Sequence, residues 1–85
     1  MNPLSTGQAI TDQAVDFELR GEFIPLDALL KTTGFANSGG DAKSMVAAGL
    51  VQVNGLLELR KRCKIRAGQV VTTNGKSIRV IAADS

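Results

Sequence analysis

Two Asn-Gly pairs, Asn54-Gly55 and Asn74-Gly75, constrain the fold of this chain more than any other feature. Both central residues of a type I′ turn need positive φ, which Asn tolerates and Gly adopts freely. An Asn-Gly pair between apolar alternations is therefore a strong hairpin signal. Val51 and Val53 flank Gln52 just before the first pair, and residues 69–73 and 76–81 flank the second. Val71, Ile78 and Val80 fall on one face of that second hairpin. After the first turn the alternation fails, because Leu56, Leu57 and Leu59 do not share a face in a simple register. That irregularity predicts a bulge.

Upstream, the period changes. Val15, Phe17 and Leu19 alternate with Asp16, Glu18 and Arg20, the pattern of a half-exposed strand that Gly21-Glu22 then breaks. Pro25 suits the first position of a helix, where a missing N–H costs nothing. Leu26, Leu29 and Leu30 give that helix one apolar face, and Asp27 early and Lys31 late complement its dipole. Gly34 fits the position just past the C-cap, with Phe35 folding back on the last turn. After Ala36-Asn37-Ser38, the run Ser38-Gly39-Gly40-Asp41 has capping-box spacing, with Asp in place of the usual Glu. Ala42, Met45, Val46 and Gly49 mark the inner face of a second helix, with Lys43 and Ser44 outward. The predicted order is β-α-α-β-β-β-β, an α+β domain with two short helices packed on one side of a small antiparallel sheet. Residues 14–83 form this single domain, and residues 1–13, small and polar, read as a flexible N-terminal tail.

Composition narrows the chemistry. The 85 residues include no His, Trp or Tyr, one Cys and three Phe. A chain without His and with one thiol can build no zinc finger, no Cys–His nucleophile pair and no Ser–His–Asp triad. The carboxylates are scattered and no cofactor fingerprint is present, so a non-catalytic protein without metal or cofactor is expected. A lone Cys fits a reducing compartment. No apolar run approaches the roughly 18 residues of a membrane span, so a monomeric cytoplasmic protein is the default.

The net charge of +2 conceals two opposite parts. Residues 1–30 hold one base against five acids, a net of −4, and residues 31–85 hold nine bases against three acids, a net of +6. Five bases crowd into seven positions: Arg60, Lys61, Arg62, Lys64 and Arg66, with Cys63 and Ile65 between them. Charge runs are often only solvated surface, yet packing five cations together raises the energy of the folded state unless a polyanion relieves it. Strand alternation would divide the run between two faces, and Cys63 reads as a partly buried filler. The second helix offers only Lys43 to a major groove. Each Phe has an internal role, with Phe17 on the strand's apolar face, Phe23 as a staple before the first helix, and Phe35 after its C-cap. Without a stacking platform, the domain suits the backbone and shape of RNA rather than its sequence. An acidic protein is the alternative partner. An anionic membrane surface ranks third, because no strongly amphipathic helix accompanies the cations.

The stretch Ser38-Gly39-Gly40-Asp41-Ala42-Lys43, followed by Gly49-Leu50-Val51-Gln52-Val53-Asn54-Gly55, resembles the helix–helix–hairpin core of the alpha-L RNA-binding domain, named after small-subunit ribosomal protein S-four. The continuation from Glu58 to Gln69 is similar to the small stand-alone bacterial YbcJ-like proteins. The resemblance spans roughly residues 15–82 and implies binding of structured RNA, rRNA or ribosome-associated RNA. It places the RNA face on Asn37, Ser38, Lys43, Asn54 and the cations Arg60, Lys61, Arg62, Lys64 and Arg66. Gly39 and Gly40 stand where many members carry a basic or longer side chain, which makes this helix start less charged. Free N–H groups there can still hold a phosphate, with Lys43 one turn in, and the glycines admit a close backbone.

Overall fold

The computed structural model describes residues 14–83. The tail expected over residues 1–13 lies outside them. The elements are β1 (Ala14–Leu19), β2 (Ile24–Pro25), α1 (Leu26–Thr32), α2 (Gly39–Ala47), β3 (Val51–Val53), β4 (Leu56–Leu57), β5 (Lys64–Ile65), β6 (Val70–Thr73) and β7 (Lys76–Ala82). Five strands form one sheet in the order β1-β7-β6-β3-β4, and β2 pairs separately with β5.

Both Asn-Gly pairs make the expected turns. Asn54 and Asn74 have φ of 53° and 54°, and Gly55 and Gly75 follow at 82° and 75°, positive at both central positions as a type I′ turn demands. The hairpins align Gln52 with Leu57 and Val71 with Ile78, and β3 joins them by pairing Val53 with Val71. No bulge interrupts the first hairpin. The ladder continues in register to the Glu58 N–H, which donates to the Val51 carbonyl at 3.0 Å. The broken leucine alternation marks the end of the strand instead, and Leu56, Leu57 and Leu59 are all exposed.

The helices sit on one side of the sheet, as the apolar spacing requires. Leu26, Leu29 and Leu30 of α1 and Ala42, Met45 and Val46 of α2 share one core with Leu19, Val51, Val53, Val71, Ile78 and Val80. The opposite sheet face is mostly polar: Thr72 and Ser77 hydroxyls meet at 3.3 Å, and Arg79 donates to Asp16 at 2.8 Å, with Leu57 and Ile81 exposed beside them. Each helix ends at a glycine of positive φ, Gly34 (83°) and Gly49 (78°). At the second, Gly49 N–H donates to the Val46 carbonyl and Leu50 N–H to that of Met45, the paired bonds of a Schellman motif.

The sheet is mixed rather than purely antiparallel. β1 lies parallel to β7, with Ala14 opposite Ser77 and Leu19 opposite Ala82. Alternation sets which face a strand buries but not its direction. These two strands are joined by the whole domain rather than by a turn, so no local signal fixes their sense. Pro25 is also one position earlier than expected, at the N-cap of α1 with φ −62° and ψ 143°.

Leu30 is fully buried whereas Val15, on the edge strand, remains 41% exposed. Leu30→Ala is expected to cost about 2–5 kcal/mol in urea unfolding with an unchanged m-value. Val15→Ala is expected to change stability by about 0.5 kcal/mol or less.

Candidate nucleic-acid interface

The basic run is a folded loop over residues 60–63 that leads into the short strand β5, so strand alternation governs only its second half. Pro25 has no side-chain hydrogen bond to offer the start of α1, so the first helical N–H groups need other acceptors. The loop supplies them: Leu26 N–H donates to the Cys63 carbonyl at 2.9 Å, and Asp27 N–H to the Lys61 carbonyl at 3.0 Å. The third donor, Ala28 N–H, is taken by Asp27 Oδ1 at 2.9 Å. Inside the loop, Cys63 N–H closes a turn on the Arg60 carbonyl at 3.1 Å. Beyond it, β5 pairs with β2, aligning Ile65 with Ile24. Ile65 enters the core while Lys64 and Arg66 face out.

Two of the five cations have carboxylate partners that the charge count overlooked. Arg60 grips Glu58 with Nε on Oε2 at 2.9 Å and Nη2 on Oε1 at 3.1 Å, and its N–H also donates to Oε2 at 2.8 Å. Arg62 lies 3.6 Å from Asp27, whose side chain is only 8% exposed. The repulsion expected from five packed cations is thus partly answered within the fold. Lys61, Lys64 and Arg66 have no carboxylate partner among the described residues. Arg60, Arg62, Cys63 and Lys64 line an open cleft of about 490 Å³. Cys63 packs against the core, and its thiol is pushed up first by burial and then by Glu58, so the neighbouring cations do not activate it.

At the start of α2, Ser38 Oγ accepts from Asp41 N–H at 3.0 Å, as the capping-box spacing predicts. The reciprocal bond falls one residue upstream: Asp41 Oδ2 accepts from Asn37 N–H at 2.8 Å rather than from Ser38. Gly39 and Gly40 N–H find no protein acceptor among the described residues, and a Cβ on Gly39 would meet nothing within 4 Å. Lys43 is exposed on the outer face of α2. Asn54 is first of all a turn residue: its Oδ1 accepts from Val70 N–H at 2.9 Å and its N–H donates to the Val70 carbonyl at 2.7 Å. Its amide NH₂ is the group left for a ligand. Residues 60–66 are therefore brought together, and Asn37, Ser38, Gly39, Gly40 and Lys43 form a second cluster. Among the described residues, no hydrogen bond or ion pair connects the two.

One further participant escapes any reading of periodicity. Phe23 is not a buried staple but 38% exposed, with Lys64 Nζ at 4.9 Å and Arg66 Cζ at 5.8 Å from its ring centre. Its only advance signal is an aromatic lying between Gly21 and Pro25, outside any apolar periodicity. Asp27 and Glu58 are also partners that the charge pattern does not reveal, although Glu58 lies just two residues before Arg60.

Comparison with known proteins matches residues 17–81 to the S4 domain. The chain belongs to the S4 domain family. Among curated proteins it is similar to YbcJ of Escherichia coli (strain K12), at 49% identity over 59 residues, covering 69% of this chain and 84% of the relative. YbcJ of Shigella flexneri matches equally. Among solved structures, the solution structure of E. coli YbcJ superposes with a TM-score of 0.62 at 35% identity, covering 96% of this chain and 100% of that one. That structure is described as revealing an alpha-L motif involved in RNA binding. The family match agrees with the resemblance seen in the helix–helix–hairpin sequence, and the superposition confirms the α+β architecture.

The Glu58–Arg60 pair sets a pH dependence. Hydrogen bonds from the Arg60 side chain, then from its backbone, hold the Glu58 carboxyl at about 2 instead of the ordinary 4.5. A folded-state value below the unfolded one gives a contribution that is complete above pH 4.5 and lost as pH falls toward 2. Carboxylate NMR is expected to place the Glu58 midpoint near 2, and Arg60→Ala to return it toward 4.5.

Proposed function

We propose that this chain is a non-catalytic, monomeric, cytoplasmic protein that grips the backbone of structured RNA, specifically rRNA or ribosome-associated RNA. The observation that carries this reading is the basic loop, where Arg60, Arg62 and Lys64 line an open cleft on a backbone fixed to the core. A loop already ordered before binding avoids the entropic cost that a free basic tail would meet. Membership of the S4 domain family and the RNA-binding motif ascribed to E. coli YbcJ support the same conclusion.

Lys61 and Lys64 act as point charges on phosphates, and Arg66 can offer a bidentate contact. Arg60 and Arg62 reach phosphate with the donors that Glu58 and Asp27 leave free. At the second cluster, Gly39 and Gly40 N–H and Lys43 hold a further phosphate, flanked by Asn37 and Ser38, while Asn54 offers its amide NH₂. Asp41 lowers the positive potential of that helix start, so the loop is the stronger of the two anchors.

Exposed Leu50, Leu56, Leu57 and Leu59, the last beside Arg60, favour a second reading in which an acidic protein with apolar side chains covers this edge. The two readings separate cleanly. With about four phosphates contacted, the logarithm of RNA affinity is expected to fall with that of salt at a slope of about −3 to −4. Lys61 and Lys43 are the cations to remove, since neither is in an ion pair with a described residue. In gel shifts on structured RNA, each change to Ala is expected to weaken binding and to shallow the slope by about 1, with an unchanged melting temperature. Unaltered affinity in both variants would remove these residues from the interface. Nuclease-resistant capture of an acidic protein, lost on changing Leu56 and Leu57 to Ser, with no RNA binding by the wild type, would favour the second reading.

A further inference from the structure

We infer that Phe23, Lys64 and Arg66 form a subsite for one unpaired nucleotide, so that the RNA recognised is a helix interrupted by a bulged or splayed base. This rests on the RNA reading above and adds the kind of RNA. Phe23 differs from the two other aromatics: Phe17 and Phe35 are partly buried against the core, whereas Phe23 is 38% exposed. Its position is nevertheless fixed. The next residue, Ile24, pairs with Ile65, and the preceding Glu22 carbonyl accepts from Arg66 Nη1 at 3.4 Å. Alternation along β5 sends Ile65 into the core and turns Lys64 and Arg66 outward, and both cations lie within 6 Å of the ring centre.

That combination matches the chemistry of a nucleotide. In the free protein Lys64 and Arg66 lie over the ring; a base that stacks there takes their place on its face, and the displaced cations meet its phosphates. Paired bases inside an A-form helix keep their faces within the stack, so only a base outside it can reach Phe23. An acidic peptide or a uniform duplex would use Lys64 and Arg66 but leave the ring idle. The ring has a second conceivable role, which is to hold the two cations in place. Leu at position 23 keeps an apolar contact for their stems without a π-face, and Tyr keeps the face, so these two variants separate the roles.

The test uses the full chain and two RNAs with the same stem, one fully paired and one carrying a single bulged 2-aminopurine. The wild type is expected to bind the bulged RNA about tenfold more tightly and to quench 2-aminopurine fluorescence by stacking. Phe23→Leu is expected to lose the quench and the tenfold preference while binding the paired RNA as before, and Phe23→Tyr to retain both. Equal weakening on both RNAs would make Phe23 a support for its cations and overturn the subsite. No preference in the wild type, with both RNAs bound, would overturn it as well while leaving RNA binding intact. Failure of the wild type to bind either RNA would remove both the RNA reading and the subsite.

Discussion

The start of α1 is the point on which the candidate interface depends. A helix entered through Pro25 has no side-chain cap, and its leading N–H groups must still find acceptors. They find the Cys63 and Lys61 carbonyls, more than thirty residues away in sequence. One pair of backbone bonds thereby caps a helix and fixes the course of the loop that carries Arg60, Lys61 and Arg62 and leads into Lys64 and Arg66. The requirement is local and the consequence is not: wherever α1 docks, the basic loop follows.

Charge balance around that loop is set by the same helix. Asp27 accepts from Ala28 N–H with one oxygen and faces Arg62 with the other. The acidic first third of the sequence is therefore no mere counterweight to the basic remainder. Part of it is built into the base of the loop, and Glu58 adds a second internal carboxylate. These acids lessen the repulsion in the free protein and leave Lys61, Lys64 and Arg66 without a carboxylate partner among the described residues. A surface arranged in this way attracts a polyanion while remaining stable without one.

Much of the fold is legible in the sequence because its signals are local. Asn54-Gly55 and Asn74-Gly75 specify their turns through backbone conformation, and the Leu26, Leu29 and Leu30 spacing specifies the buried face of α1. Ser38 caps α2 as its spacing to Asp41 implies. The direction of β1 is not legible, since an alternating strand reads the same in either sense. Nor is the shape of residues 58–63, where the decisive bonds join the loop to α1 and leave no periodic trace. The cations themselves are evident, but their division into paired and unpaired depends on Asp27, which only the fold brings near. Phe23 reads as an interior residue because aromatic side chains usually go there. Its exposure follows from the β2–β5 pairing, two residues long and invisible to any periodicity argument.

On the proposed function, a loop ordered in the free protein meets RNA without refolding. Backbone amide NMR, recorded while structured RNA is added to the full chain, tests this most directly. The largest shifts are expected over residues 60–66, with smaller ones at residues 37–43. The amides of Leu26 and Asp27, bonded to Cys63 and Lys61, are expected to keep their protection from hydrogen exchange. Shifts centred on the polar sheet face at Gln52, Thr72 and Ser77, or loss of protection at Leu26 and Asp27 on binding, would contradict a preformed basic grip.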